Sequence, residues 1–270
     1  MYCRRMRTAL PVTESAPPDL LRLAGHPLRW RLMRALAKSD LRVQELSELV
    51  REPQNLVSFH LGKLRAGALV TARRSTADRR DSYYSLNLDS IRSLMSGAGA
   101  MLHPGLRLVP SDRVTSSLRA TKILFLCTGN SARSQMAEAL IKVRSSGLVK
   151  AWSAGSDPKP LHLNTIRVMR EAYGLDLSAQ KPTHLDKFVN RRFDWVISLC
   201  DRVREVCPDF PGQPEVIHWS VPNPATGEPD EITYPLFQAT AVELSRRIEF
   251  LLAVLSDRAP RVQHKGETKR

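Results

Sequence analysis

A cysteine and an arginine, separated by five residues, lie between an apolar run and a helix-forming stretch. Ile123–Leu126 precedes Cys127, and the loop ends at Ser134, directly before Gln135–Val143. A strand, a short loop and a helix in this order direct successive backbone N–H groups at one point, where an anion binds. Arg133 adds a planar guanidinium that grips two oxygens of an oxyanion. The pattern predicts an oxyanion site with Cys127 as nucleophile and Ser134 as its hydrogen-bond partner. The residues predicted to bind the oxyanion are Thr128, Gly129, Asn130, Ser131, Ala132 and Arg133.

Basic residues are concentrated in the first part of the chain. Residues 1–119 carry 20 Lys and Arg against 10 Asp and Glu, within a total net charge of +14. This balance favours a polyanionic partner, because neutralised phosphates release counterions, although a solvated basic surface gives the same count. No apolar run approaches the roughly 18 residues of a membrane span. We therefore expect a cytoplasmic protein that has no membrane partner.

Hydrophobic periodicity divides the chain into two domains. Residues 15–95 combine short helices with a terminal hairpin, which predicts a mainly α-helical winged helix-turn-helix domain. Residues 96–119 collect Gly, Pro and Ser and predict a linker, with or without one short helix. Residues 120–258 alternate apolar strands with helices and predict an α/β domain with a parallel sheet, followed by a basic tail at 259–270.

The first domain resembles the arsenical-resistance repressor (ArsR-type) family. The matching segments are LAGHPLRWRLMRAL, VQELSELV, PQNLVSFHLGKLRAGALV and RRDSYYSL. The resemblance implies operator DNA as a partner and a homodimer. It makes the outward residues of the third helix and the basic hairpin candidates for DNA contact, although His60 is equally consistent with helix packing. These candidates are Gln54, Asn55, Ser58, His60, Lys63, Arg73, Arg74, Arg79 and Arg80.

The inducer of this first domain stays unassigned. The family often senses metalloids through a cysteine pair before the recognition helix, where this chain has Arg42, Val43 and Gln44. Cys3 is the one cysteine of the first domain's half of the chain, and a free thiol on a terminal segment is its expected state.

The second domain resembles the low-molecular-weight tyrosine phosphatase superfamily. The stretch ILFLCTGNSARSQMAEAL carries the loop, and WSAG at Trp152–Gly155 and HW at His218–Trp219 fall where that family has them. The resemblance implies a three-layer fold with a parallel four-stranded sheet. It also implies one of two activities, hydrolysis of tyrosine phosphate or thioredoxin-coupled reduction of arsenate.

Two further cysteines distinguish these activities. The segment WVISLCDRVREVCP places Cys200 and Cys207 seven residues apart, and it resembles the redox segment of the thioredoxin-coupled arsenate reductases. By that resemblance, Cys127, Cys200 and Cys207 form a thiol relay that ends at thioredoxin or another external thiol donor. No bound cofactor is expected, and no flanking His or Cys completes a metal site. Because helical residues seven apart are about 10 Å apart along the axis, the segment must unwind during turnover.

Asn223 departs from the family pattern. The family has an aspartate before Pro-Ala as general acid, and an amide cannot donate a proton in the same way. This weakens the phosphatase interpretation most, and Asp201 or Asp230 are candidate substitutes. A family cation site is matched only by Asn130, Glu138 and Ser153 and is not assigned.

The predicted function is therefore an arsenate reductase fused to an arsenical-resistance-type regulator. Two alternatives stay open: a tyrosine phosphatase with a DNA-binding domain, and a DNA-binding sensor of oxyanions or redox state whose second domain is not catalytic.

Overall fold

The computed structural model describes residues 17–103 and 120–257. These residues form two compact units, each with its own apolar core. The first unit holds residues 17–73 and 82–103, and the second holds residues 74–81 and 120–257. Across both ranges no helix is long and apolar enough to cross a membrane.

The first unit is mainly helical. Its helices are α1 (Asp19–Ala24), α2 (Pro27–Leu36), α3 (Val43–Val50), α4 (Gln54–Ala66) and α5 (Leu88–Leu102). Its small sheet has the order β1-β3-β2, with strands β1 (Leu41–Arg42), β2 (Val70–Arg74) and β3 (Ser82–Leu86). β2 ends where the chain passes into the second unit. The three helices and the hairpin predicted from the apolar spacing are present, and β1 was not predicted.

Local chemistry explains the helix boundaries of the first unit. The break between α1 and α2 falls at Gly25–Pro27, and His26 Nδ1 accepts a hydrogen bond from Leu28 N at 3.2 Å. Asp40, a residue type that often caps helices, is buried, and α3 begins later, at Val43. The backbone N–H of Arg42 instead donates to Glu45 Oε2 at 2.8 Å and closes the first turn.

α5 enters the segment that the sequence predicts as a linker. Asn87 caps the helix by accepting a hydrogen bond from Ser90 N, and the helix runs to Leu102. Ala98 is buried, so this part of the segment packs against other residues. Its glycines interrupt the helical periodicity, which is why the sequence does not reveal the helix. The rest of the predicted linker from residue 104, the tail at 259–270 and Cys3 lie outside the described residues.

The second unit is an α/β domain with a parallel four-stranded sheet, as predicted. The sheet order is β5-β4-β6-β7, with strands β4 (Thr121–Cys127), β5 (Val149–Gly155), β6 (Trp195–Ser198) and β7 (Glu215–His218). The helices are α6 (Arg133–Arg144), α7 (Leu163–Tyr173), α8 (Asp201–Glu205) and α9 (Asp230–Asp257). α9 packs against α6 and α7 through Phe237, Ala241, Leu244 and Ile248, which are fully buried at helical spacing.

The carboxyl ends of the strands meet at one edge of the sheet. β4 lies between β5 and β6, with Cys127 beside Gly155 and Leu126 beside Ser198. Ser198 in turn pairs with His218 of β7. Parallel α/β sheets bind ligands in the crevice outside this edge, so the loops that follow β4, β6 and β7 converge on one region.

Candidate active site

The loop after β4 wraps around the Cys127 thiol. Cys127 is almost fully buried, and Asn130 N donates to its Sγ at 3.2 Å. The Oγ of Ser134 lies 2.9 Å from the same sulfur. Asn130 adopts a left-handed backbone with φ of 44°, which turns the chain back towards Cys127. These contacts hold the sulfur of Cys127, the predicted nucleophile, at the centre of the loop.

The loop carbonyls are bonded to the following segment, away from the thiol. The backbone N–H groups of Asp157 and Lys159 donate to the oxygens of Thr128 and Gly129, both at 2.9 Å. The N–H of His162 donates to Ser131 O at 3.1 Å. Because the carbonyls are satisfied outside, the loop N–H groups are left to face an anion.

The side chain of Asn130 braces this loop from inside. It is fully buried, and its Nδ2 donates to Ser134 Oγ at 2.9 Å. Its Oδ1 accepts hydrogen bonds from Gln135 Nε2 at 3.2 Å and from Thr183 N at 2.7 Å. Gln135 and Thr183 were not predicted as site residues, since only their position beside Asn130 in space reveals them.

Gly155 permits the close approach of β5 to the loop. A Cβ at this position would lie 2.4 Å from Thr128 O and 2.9 Å from Asn130 N. Both neighbours are backbone atoms that the loop geometry fixes, so a larger residue displaces the loop. This is the physical reason for the glycine in the WSAG segment.

Arg133 is the first residue of α6 and is 6% exposed. Its Nη1 donates to Val221 O at 3.0 Å, which fixes the guanidinium at the cavity that Cys127 also lines. The anchor is a backbone carbonyl that follows β7, so its identity is not visible in the sequence.

Cys127 and Arg133 open onto a cavity of about 820 Å³ within the second unit. Among the described residues that line it, five are cationic and none is Asp or Glu. The cations are Arg74, Arg79, Arg133, Lys159 and Arg202. A cavity with this charge favours anions and concentrates them near the thiol.

A second thiol faces the same cavity. Cys200 lies between β6 and α8, is almost fully buried, and its Sγ is 3.2 Å from Thr128 Oγ1. Cys207 lies beyond the other end of α8 and is partly buried. Burial, with a smaller contribution from Asp209, raises the pKa of the Cys207 thiol to about 11. The three described cysteines are free thiols.

The position expected for the general acid holds an amide. Asn223 lines the cavity, and its Nδ2 donates to Ala225 O. Asp201 is fully buried against His218 and Ser220, and Asp230 lies 3.7 Å from His162 Nε2. Neither carboxylate is among the lining residues, so neither substitutes for the expected aspartate in this arrangement.

Metal-binding groups do not converge in either described range of the chain, where no three His, Cys, Asp or Glu side chains come together. Glu138, one of the partial matches to a cation site, pairs with Lys142. Ser153 lies beside the same pair.

The predicted DNA-contact residues divide into four groups. Gln54, Asn55, Ser58 and Lys63 are exposed on α4. His60 is buried and stacks on His26 with ring centroids 4.4 Å apart, so its predicted place on the outward face is wrong. Its apolar spacing with Val57, Leu61 and Leu64 puts it on the inner side of the helix.

The basic hairpin gives the other two groups. Arg73 is half-buried at the end of β2, and Arg80 is exposed and pairs with Asp78 at 2.8 Å. Arg74 and Arg79 belong to the second unit, where both line the cavity. Phe59 is exposed on α4 beside Lys63 Nζ.

Comparison with known proteins identifies both parts of the chain. Residues 122–261 match the low molecular weight phosphotyrosine protein phosphatase family, and residues 26–71 match the bacterial regulatory protein arsR family. An arsenate reductase of Halalkalibacterium halodurans is 36% identical over 128 residues, which are 47% of this chain and 91% of that protein. One from Bacillus licheniformis is 38% identical over 128 residues, with the same coverage of 47% and 91%.

A solved structure shows the same extent of match. The arsenate reductase of Archaeoglobus fulgidus is 28% identical, covers 48% of this chain and 98% of its own, and superposes with a TM-score of 0.40. Since the family match spans residues 122–261 and includes the Cys127 loop, the chain belongs to the low molecular weight phosphotyrosine protein phosphatase family.

Proposed function

We propose that this chain is an arsenate reductase joined to a transcriptional regulator of the arsR type. The observation that carries the proposal is the pair of thiols, Cys127 and Cys200, on one cationic cavity with Thr128 between them. Hydrolysis of a phosphocysteine requires no second thiol, whereas reduction needs thiols that supply two electrons. The arsenate reductases among its relatives support the same choice.

In the first step, arsenate sits in the loop with its oxygens on the backbone N–H groups and on Arg133. The Cys127 thiolate attacks arsenic and forms an S–As bond, and one arsenate oxygen leaves as water after taking up protons. The arsenic remains As(V). Preorganised N–H groups lower the barrier because they need no reorientation as charge shifts onto the oxygens.

In the second step, the Cys200 thiolate attacks Cys127 Sγ. The S–S bond forms as the S–As bond breaks, and its electron pair stays on arsenic, which leaves as arsenite, As(III). Cys207 then attacks Cys200 Sγ and releases the Cys127 thiolate. The two electrons that arsenic has gained come from the Cys200 and Cys207 thiols, which are left oxidised as a disulfide.

An external dithiol closes the cycle. We infer a thioredoxin-like reductant, since Cys207 lies at the more exposed end of α8 and presents the disulfide to a protein partner. No step requires a bound cofactor or metal. We also propose a cytoplasmic location, where such thiols are kept reduced.

We further propose that the front domain binds operator DNA as a homodimer. α1 and α5 pack together, and both expose apolar side chains. These are Leu21, Leu94, Met95, Met101 and Leu102. A neighbouring copy that covers them removes this apolar surface from water. The DNA contacts proposed are Gln54, Asn55, Ser58 and Lys63 on α4, and Arg73, Arg74, Arg79 and Arg80 of the hairpin.

The domain limits remain those inferred from the sequence, with DNA binding in residues 15–95 and catalysis in residues 120–258. A phosphatase is the second candidate, because the family match is to phosphatases and the loop is shared. The amide of Asn223 in the cavity argues against it.

The test is arsenate-dependent NADPH oxidation with thioredoxin and thioredoxin reductase. The proposal predicts turnover that is lost in Cys127→Ser and Cys207→Ser and kept in Cys3→Ser, the matched control. Hydrolysis of p-nitrophenyl phosphate without arsenate turnover would place the chain among the phosphatases. Arsenate binding without either activity would make the second domain a sensor.

A further inference from the structure

Asp201, the residue after Cys200, is a fully buried carboxylate to which the relay assigns no chemical step. It is the first residue of α8, the short helix between Cys200 and Cys207, and the relay must bring these two thiols together. A buried charge is retained only where its surroundings satisfy it, so the contacts of Asp201 indicate what it holds in place.

Both carboxylate oxygens of Asp201 are bonded. Oδ1 accepts from Ser220 Oγ at 2.6 Å and lies 3.1 Å from His218 Nε2. Oδ2 accepts from Thr76 N at 2.7 Å and from Thr76 Oγ1 at 2.9 Å, and Thr76 belongs to the same compact unit. The carboxylate therefore ties the start of α8 to the residues that end and follow β7.

His218 extends this tie to β6. Its Nδ1 lies 2.9 Å from Ser198 Oγ and 3.2 Å from Ser198 O. The backbone repeats the link, since Trp219 N donates to Ser198 O at 2.8 Å. Leu199 N donates to Leu126 O at 2.7 Å. The residues on both sides of Cys200, Leu199 and Asp201, are therefore held in place by hydrogen bonds.

The other end of α8 has a different environment. Val203 is fully buried, but Glu205 and Val206 beyond it are exposed, and Cys207 is partly buried. At the start of the helix, Arg204 N donates to Cys200 O at 3.2 Å. Opening the helix after Val203 moves exposed residues, whereas moving Asp201 breaks its contacts with Ser220, His218 and Thr76.

We propose that Asp201 is a positioning residue that holds Cys200 beside Cys127 while the chain from Arg204 to Cys207 moves and carries Cys207 to Cys200. This inference rests on the proposed thiol relay. It assigns the motion to one end of the segment, so Cys200 keeps its place for the attack on Cys127 and for the later attack by Cys207.

Hydrogen exchange on a trapped relay state tests the proposal. In Cys3→Ser/Cys127→Ser protein, diamide takes two electrons and two protons from the Cys200 and Cys207 thiols and leaves their disulfide. We expect amides of residues 204–207 to exchange about tenfold faster after oxidation, while those of Leu199 and Trp219 keep their rates. Asp201→Asn, whose amide cannot accept both pairs of donors, should make Leu199 and Trp219 exchange about tenfold faster in the oxidised state.

Two variants control the experiment. Ser220→Ala removes one donor to Asp201 with little change of volume, should show the same effect more weakly, and carries the test if Asp201→Asn does not fold. Asp194→Asn removes an exposed carboxylate that accepts from Lys122 N before β6, and should leave the exchange of Leu199 and Trp219 unchanged.

Equal acceleration at Leu199 and at 204–207 in protein with Asp201 intact would overturn the inference, as would failure of the disulfide to form. So would unaltered exchange in both Asp201→Asn and Ser220→Ala. Arsenate turnover of the unmodified chain is measured separately. If hydrogen exchange follows the expected pattern but arsenate is not turned over, only the proposed function is contradicted. If arsenate is turned over but the exchange pattern is absent, only the role of Asp201 is contradicted.

Discussion

The hydroxyl of Thr128 lies 3.2 Å from the sulfur of Cys200, although the two residues are 72 positions apart in the chain. Thr128 directly follows Cys127, so one side chain connects the oxyanion loop to the second thiol. A hydroxyl that donates to a thiolate stabilises it and directs its lone pairs. The contact links the two cysteines whose bond the proposed reaction forms.

Thr128→Val removes this hydroxyl and keeps the side-chain shape. We expect the rate of Cys127–Cys200 disulfide formation to fall about tenfold, because a hydrogen bond to a charged group contributes about 1.5–3 kcal/mol. Rapid quench with thiol alkylation and mass spectrometry follows the step in a single turnover. Thr183→Val is the control, since Thr183 braces the loop through its backbone N–H. Equal rates in the two variants would assign Thr128 no part in the step.

Asn223→Asp restores a carboxylate to the cavity. We expect hydrolysis of p-nitrophenyl phosphate to rise about 100-fold, the usual range for a positioned general acid, because an alkoxide leaving group needs a proton. The pH profile of the variant should gain a limb at the pKa of the new acid. Asn223→Ala serves as the control and should not gain activity. No increase in Asn223→Asp would show that the family's general acid does not act from this position.

Burial of Cys207 makes its reactivity depend on pH. Its pKa of about 11, against an ordinary 9.0, means that the folded state favours the neutral thiol. At pH 8 its alkylation should be about 100-fold slower than that of an unfolded cysteine, because the thiolate is the reactive form. Asp209→Asn should speed alkylation, since it removes the smaller of the two causes of the shift.

The sign of the stability change follows from the same shift. A raised thiol pKa contributes stability that is complete below pH 9 and is lost as pH rises towards 11. The folded protein should therefore lose stability over this range, and Cys207→Ser should lose less. Equal losses in the two proteins, measured by urea unfolding, would contradict the assignment.

The sequence predicted the elements that depend on local chemistry. Apolar runs and turn residues placed the strands and helices, and Cys127, Arg133 and Ser134 followed from one continuous segment. The contacts between distant segments were not predictable. Val221 O, Thr183 N and the Thr128–Cys200 contact arise because parallel strands bring their carboxyl ends together, a fact of sheet order and not of spacing.

His60 and Asp40 show a second limit of the sequence. Both are polar residues of types that are mostly exposed or only partly buried, and both are buried here. His60 stacks on His26, a residue that lies before α2 and has no periodic relation to it. Whether a polar side chain at the edge of a helix face is buried or exposed depends on which residue packs against it. The sequence alone does not identify that residue.

Gly155→Ala tests the close approach of β5 to the loop. The added methyl would overlap Thr128 O, so we expect a loss of about 1–3 kcal/mol in the free energy of unfolding and a loss of oxyanion binding. Phosphate titration followed by calorimetry measures the second effect. Gly62→Ala, in α4 with nothing within 4 Å of the new atom, should instead stabilise by about 0.5–1 kcal/mol. Normal phosphate binding by Gly155→Ala would contradict the packing argument.

Lys63→Ala and His60→Ala distinguish a residue of α4 that contacts DNA from one that packs inside the domain. Lys63 is exposed, so its loss should weaken operator binding and lower the slope of affinity against salt by about 1. His60 is buried, so its loss should lower thermal stability and leave that slope unchanged. Fluorescence anisotropy at several salt concentrations distinguishes the two. A reduced slope in folded His60→Ala would restore His60 as a DNA contact.

The most direct test of the proposed reaction is a single turnover of Cys207→Ser protein. Reduced protein is mixed with arsenate in the absence of any thiol donor, and arsenite and disulfides are then quantified. The account predicts one arsenite per chain and a Cys127–Cys200 disulfide identified by mass spectrometry. Free thiols at Cys127 and Cys200 with no arsenite formed would contradict it.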